Sequence, residues 1–164
     1  MKSTMLKTVL LLNILFIFNC KAQTTTDYIN LYNNLVPKLN SIVPNKTQFY
    51  GQNFSSFYNE IQSKNISIVG WMHDTKISPS SKYYVLKLFF CDMNLINIAT
   101  DNSYQYPRVI ITFENEIPGQ VQNLMVQHHS TWNTNVAQFF SNMKIENIQF
   151  VGVNGYNSSD RTVK

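Results

Sequence analysis

Residues 83–91 read YYVLKLFFC, and Lys87 is the one position in the run that is not apolar. A strand with one face in solvent alternates polar and apolar residues. This run does not alternate, so it is expected to be a central strand covered on both faces. The shorter β-branched and apolar run Ile66 to Met72 precedes it. Between them lie residues 73–82, with Ser78-Pro79-Ser80-Ser81 as a loop. The two runs are expected to pair antiparallel.

Downstream, Leu95 to Thr100 is a weaker third strand candidate, closed by the turn cluster Asp101-Asn102-Ser103. Arg108 to Glu114 reads RVIITFE, a strand entered from Pro107, where proline is tolerated. The period then changes. Pro118 suits the first position of a helix that places Val121, Leu124, Met125 and His128 on one face. After Ser130 or Thr131, the residues Trp132, Val136, Phe139, Phe140 and Met143 form a second helical stripe. That stripe is expected to pack on Val85, Leu86, Leu88 and Phe90. Ile145 to Val153 is the last strand, and its arrival through a helical crossover would allow it to lie parallel to Arg108–Glu114.

Upstream, Thr26-Asp27 reads as a helix start, and Tyr28, Tyr32, Leu35, Leu39 and Ile42 follow at helical spacing. Pro37 is expected to kink or restart this helix, and Pro44 to close it. Asn53 is the expected cap of a second helix carrying Phe54, Phe57, Tyr58 and Ile61. The fold class is therefore α+β: one domain with a four- or five-stranded, mostly antiparallel sheet, packed by amino-terminal helices and a carboxyl-terminal helix pair.

The amino terminus, MKSTMLKTVLLLNILFIFNCKAQ, has the layout of a secretory signal peptide. Lys2 and Lys7 are followed by an apolar run from Val9 to Phe18, broken by Asn13. The run is about half of the roughly 20 residues that a membrane-spanning helix needs. Two cuts fit. Cys20 and Ala22 are small residues placed for a cut before Gln23. The alternative is a cut before Cys20, which would then carry lipid. Ile17-Phe18-Asn19-Cys20 resembles a lipobox loosely, since Phe18 and Asn19 are larger than the usual small residues. The expected organisation is a signal peptide over 1–22, a globular domain over 23–155 and a flexible polar tail over 156–164. The expected location is the bacterial cell envelope, lipid-anchored through Cys20, or the secreted fraction.

Net charge is +4, and it falls to +2 once Lys2 and Lys7 leave with a cut before Cys20, or to +1 when a cut before Gln23 also removes Lys21. The basic residues are scattered and do not interleave with aromatics, so nucleic acid is not an expected partner. Only 13% of residues are charged, against roughly 25% for typical domains. The 22 Phe, Tyr and Trp residues imply a packed core. With Cys20 lipidated or removed, Cys91 would stand alone, as a buried thiol in an apolar run.

No phosphate loop, dinucleotide fingerprint, nucleophile elbow or metal-ligand spacing occurs. The histidines and carboxylates that remain as site candidates are His73, Asp74, Asp92, Glu114, Glu116 and His128. Glu114 and Glu116, at i and i+2 of a strand, would face one side about 7 Å apart, a spacing compatible with acid–base work on a sugar. A hairpin with His73 at its loop end would put that imidazole almost 30 Å from Cys91, about nine strand residues away, which disfavours a thiol–imidazole pair. Adjacent His128 and His129 diverge by about 100° on a helix and would not share one ion. His128 is expected on the apolar face; Trp71, Tyr83, Tyr84, Tyr104 and Tyr106 are expected in the core, with Tyr104 and Tyr106, in a turn, the pair more open to exposure. The expected function is a non-catalytic binding or interaction module for a protein or small ligand of the envelope, without metal or cofactor. The alternative is a small envelope hydrolase using the carboxylates and histidines above.

Overall fold

The run at 83–91 becomes strand β2 (Tyr83–Phe89) in the computed structural model of the protein, which describes residues 23–164. The proposed leader and Cys20 lie outside the described residues. Around β2 stand β1 (Gly70–Thr75), β3 (Arg108–Phe113) and β4 (Ile145–Val151), in the spatial order β1-β2-β3-β4. Every neighbouring pair is antiparallel, including β3 with β4, so the parallel alternative for the last strand is corrected. Among the described residues the five α-helices are α1 (Thr25–Ile42), α2 (Phe54–Ser63), α3 (Met93–Asp101), α4 (Val121–His128) and α5 (Thr134–Phe140). The protein is thus α+β, with a four-stranded sheet.

Only one face of the sheet is fully covered. Trp71, Leu88, Val109 and Phe150 stand in register across the four strands and are all buried. His73, Leu86, Ile111 and Ile148 form the next row on that face. The intervening row, Met72, Lys87, Ile110 and Gln149, is exposed or half-buried. The expectation that β2 is covered on both faces is therefore corrected. Lys87 marks the open face, where its ammonium pairs with Asp74.

Three local readings also change. Leu95–Thr100 is helical, within α3. Asp92 caps it by accepting from the Leu95 N–H at 3.0 Å. Leu95 and Ala99, four residues apart, are its buried positions, so a helical period underlies what looked like a short apolar strand. The strand expected at Ile66–Met72 begins later, at Gly70. Asn65, at φ 52°, turns the chain out of α2, and the Ile66 N–H bonds back to the Ile61 carbonyl at 3.2 Å. At the amino terminus the cap is Thr24 and not Thr26. Its hydroxyl accepts from the Asp27 N–H while the Asp27 carboxylate accepts from the Thr24 N–H, a reciprocal capping box. α1 runs through Pro37 as one helix, and Pro44 opens a 3-10 turn over Val43–Phe49 rather than ending the segment.

The core gathers around the covered face. The Phe140 ring stacks on Phe113 of β3 and meets Trp71 of β1 and Phe54 of α2 edge-on. Phe140 of the helical stripe thus meets β1 and β3, the strands that flank β2. The carboxyl-terminal residues 156–164, read from composition as a frayed tail, return to the body. Phe150 and Lys164 exchange backbone hydrogen bonds, and the Gln105 amide donates to the Ser158 and Asp160 carbonyls. The outer edge of β4 is bonded there and again at Ile145, to Gly51 and Gln52. The outer edge of β1 has a bridge partner only at Gly70, which pairs with Thr131, among the described residues.

Candidate functional site

An open cleft of about 450 Å³ lies at that outer edge of β1. Three segments build it. β1 supplies Gly70 and Met72, preceded by Val69. The exit from β2 supplies Phe89, Cys91 and Asp92 before α3 begins. The link from α4 to α5, His129–Thr131, forms the remaining wall.

Each wall has a local cause. α4 ends when His129 and Ser130 adopt left-handed backbone, at φ 49° and 60°. Both N–H groups turn toward the Met125 carbonyl, which satisfies the helix end. The link is then stitched to β1. The Trp71 N–H donates to the Ser130 carbonyl at 2.9 Å, and the Trp132 N–H donates to the Val69 carbonyl at 3.0 Å. A Cβ at Gly70 would stand 3.4 Å from the Ser130 oxygen, an ordinary contact, so the backbone hydrogen bonds set this approach. On the other side, Asp92 caps the start of α3, and Met93, its first residue, stands exposed on the rim.

The cleft is chiefly apolar, and its rim is unusually bare. Among the described residues six large apolar side chains are exposed, and three of them, Val69, Met72 and Met93, border this one cleft. Met93 is 65% exposed. Its one carboxylate, Asp92, accepts from the Gln23 side-chain amide at 2.8 Å and from the Leu95 N–H. Those two hydrogen bonds, the Gln23 bond first, hold Asp92 below the usual carboxylate range.

Cys91 borders the cleft beside Asp92 and His129, a trio of residue types found in thiol enzymes. Its electrostatics oppose that role. Burial, with the Asp92 charge second, pushes the thiol up to about 11. At pH 7 only about one thiol in ten thousand would be ionised, whereas reactive cysteines are depressed.

The sequence-derived candidates do not assemble. His73 lies within β1, not at its loop end as expected. The hairpin register places it opposite Leu86, so about five strand residues, or roughly 17 Å, separate it along β2 from Cys91. Its ring packs 4.2 Å from that of Tyr83, its Nδ1 is buried without a partner among the described residues, and burial lowers its pKa against the opposing pull of Asp74. Asp74 faces the open side, and its hydrogen bond from Lys87 lowers its pKa most. β3 ends at Phe113, so Glu114 and Glu116 do not follow a strand alternation. Glu114 is exposed near Lys76 and Tyr84, and Glu116 pairs with Lys82 at 3.6 Å. His128 closes α4 half-buried, with Nε2 lacking a partner among the described residues. Tyr104 and Tyr106 are half-buried; Tyr104 stacks on Tyr28 and the Tyr106 hydroxyl accepts from Arg108 at 2.8 Å. No three His, Cys, Asp or Glu residues among the described residues are grouped to hold a metal ion.

Of the six candidates, Asp92 alone borders the cleft. The residues that shape it, Val69, Gly70, Met72, Met93 and His129–Thr131, were not singled out by sequence as a site. Nothing in a methionine's identity signals that it will stand on a rim rather than in a core. Comparison with known proteins finds no matching family model, no matching curated protein and no matching solved structure.

Proposed function

We propose that the protein is an exported, envelope-associated binding module, and that it engages an apolar partner through the cleft at the outer edge of β1. The clustering of Val69, Met72 and Met93 around one apolar concavity carries this reading. Exposed apolar side chains that gather at one place mark contact surfaces. The electrostatics favour binding over catalysis: the Cys91 thiol is held protonated, and Asp92 is engaged in capping a helix and holding Gln23.

Two measurements test this. Mass spectrometry of the native protein should find an amino terminus at Cys20 or Gln23; an intact Met1 on a cytosolic protein would overturn export. The uncharged fluorophore N-phenyl-1-naphthylamine should bind saturably to the full chain. Its affinity should fall about tenfold in a Met72→Lys, Met93→Lys variant, which puts two ammonium groups on the rim. Unchanged affinity would remove the cleft from the reading. Hydrolysis of an envelope glycan that is lost in Glu114→Gln or His73→Gln would establish the hydrolase alternative instead.

A further inference from the structure

We infer that the apolar cleft is a membrane-contact face, and that the bilayer to which the protein is anchored is what covers it. This inference rests on the reading of the protein as anchored in the envelope through a lipid on Cys20.

The position of the amino terminus carries the argument. Gln23, the first described residue, is bonded at 2.8 Å to Asp92, and Asp92 is part of the cleft wall. Cys20 stands three residues earlier. Three residues of fully extended chain span at most about 10 Å. A lipid on Cys20 would therefore hold the Gln23 backbone within about 10 Å of the acylated cysteine, with the Asp92 wall one side-chain hydrogen bond beyond it. The headgroup layer on each side of a bilayer is about 5–7 Å thick. So short a tether leaves the domain little freedom to present any other face.

The face it presents suits that surroundings. Val69, Met72 and Met93 project from it. Among the described residues no lysine or arginine lines the cleft, and Lys87, opposite Met72 on the open face, is already paired with Asp74. The carboxylate of Asp92 already has its hydrogen bonds from Gln23 and Leu95. Val163, also exposed, lies beside Tyr104 past the far end of α3 and should stay in water. α3 is nine residues long, about 13 Å, and Met93 stands at its start.

The test uses the full chain, purified from membranes and reconstituted into phosphatidylcholine vesicles with or without bromine on the acyl chains. Bromine quenches tryptophan on contact. Met93→Trp and Met72→Trp report on the rim, Val163→Trp on the far end, and the unsubstituted protein gives the background from Trp71 and Trp132. Circular dichroism establishes that each variant folds. A side chain seated about 5–10 Å into the headgroup boundary should lose roughly half of its emission in brominated vesicles at both rim positions. The Val163→Trp emission should be unchanged. Equal quenching at all three positions would overturn the proposed orientation. No rim quenching in vesicle-bound protein would overturn the membrane face while leaving the anchored binding module standing. Blue-shifted but unquenched rim emission would mean that a second copy or another protein covers the cleft, and the proposal fails. Protein that does not stay with the vesicles, with a mass starting at Gln23 or Met1, would remove the anchor itself and this inference with it.

Discussion

Truncating Phe140 to alanine should cost far more stability than truncating its neighbour Phe139, although the residues are adjacent in one helix. Phe140 is fully buried, while Phe139 is half-buried. Loss of the Phe140 ring forfeits about 2 kcal/mol of transfer free energy. It also opens a hole bounded by rings that cannot all collapse, which costs roughly as much again. The rings stand 5.8 Å away at Phe113, 5.5 Å at Trp71 and 6.3 Å at Phe54. The total, about 4 kcal/mol, is a large share of a domain stability of about 5–15 kcal/mol. Phe139 touches Phe140 edge-on at 5.0 Å with its other side toward solvent, so its loss should cost about 1 kcal/mol. Alanine improves helix propensity by a few tenths of a kcal/mol in both variants, so the difference isolates burial. With a urea slope of about 2 kcal/mol per molar, the midpoint should fall by about 2 M for Phe140→Ala and about 0.5 M for Phe139→Ala. Urea titration followed by circular dichroism measures both. Equal shifts, or two unchanged midpoints, would refute the packing of α5 on the covered face of the sheet.

Two further outcomes follow from single positions. Gly152 has φ 73°, and an added Cβ would stand 2.3 Å from the Tyr106 carbonyl oxygen, so Gly152→Ala should lose upward of about 1 kcal/mol and melt at a lower temperature. Cys91 keeps its proton to about 11 in the folded chain against a usual 9.0, so between pH 9 and 11 the unfolded chain holds fewer protons and stability falls as pH rises. The loss is at most about 2–3 kcal/mol, and Cys91→Ala should flatten that alkaline limb in denaturation curves. The native thiol should also resist a disulfide reagent at pH 8 that labels the unfolded chain at once.

What the sequence determined by itself were features written in short windows. The α+β class, β2, β3, the helix carrying Phe140 and the burial of one of the two adjacent phenylalanines all follow from periodicity, because burial on one side of a helix or strand imprints a period. Cap chemistry is equally local, yet it was assigned two residues late at Thr26 and missed at Asp92, where a short helix looks like a short apolar strand. Tertiary structure alone decided which face of β2 is covered. YYVLKLFFC is apolar on both sides, and strand order, not composition, placed Lys87 opposite Met72 on an open face. It alone decided that the carboxylates and histidines stay apart. The cleft belongs to the same category. Val69–Met72, Phe89–Met93 and His129–Thr131 are up to about sixty positions apart in the chain. They meet because backbone hydrogen bonds tie the turn after α4 to the edge of β1, a non-local pairing with no local period to announce it.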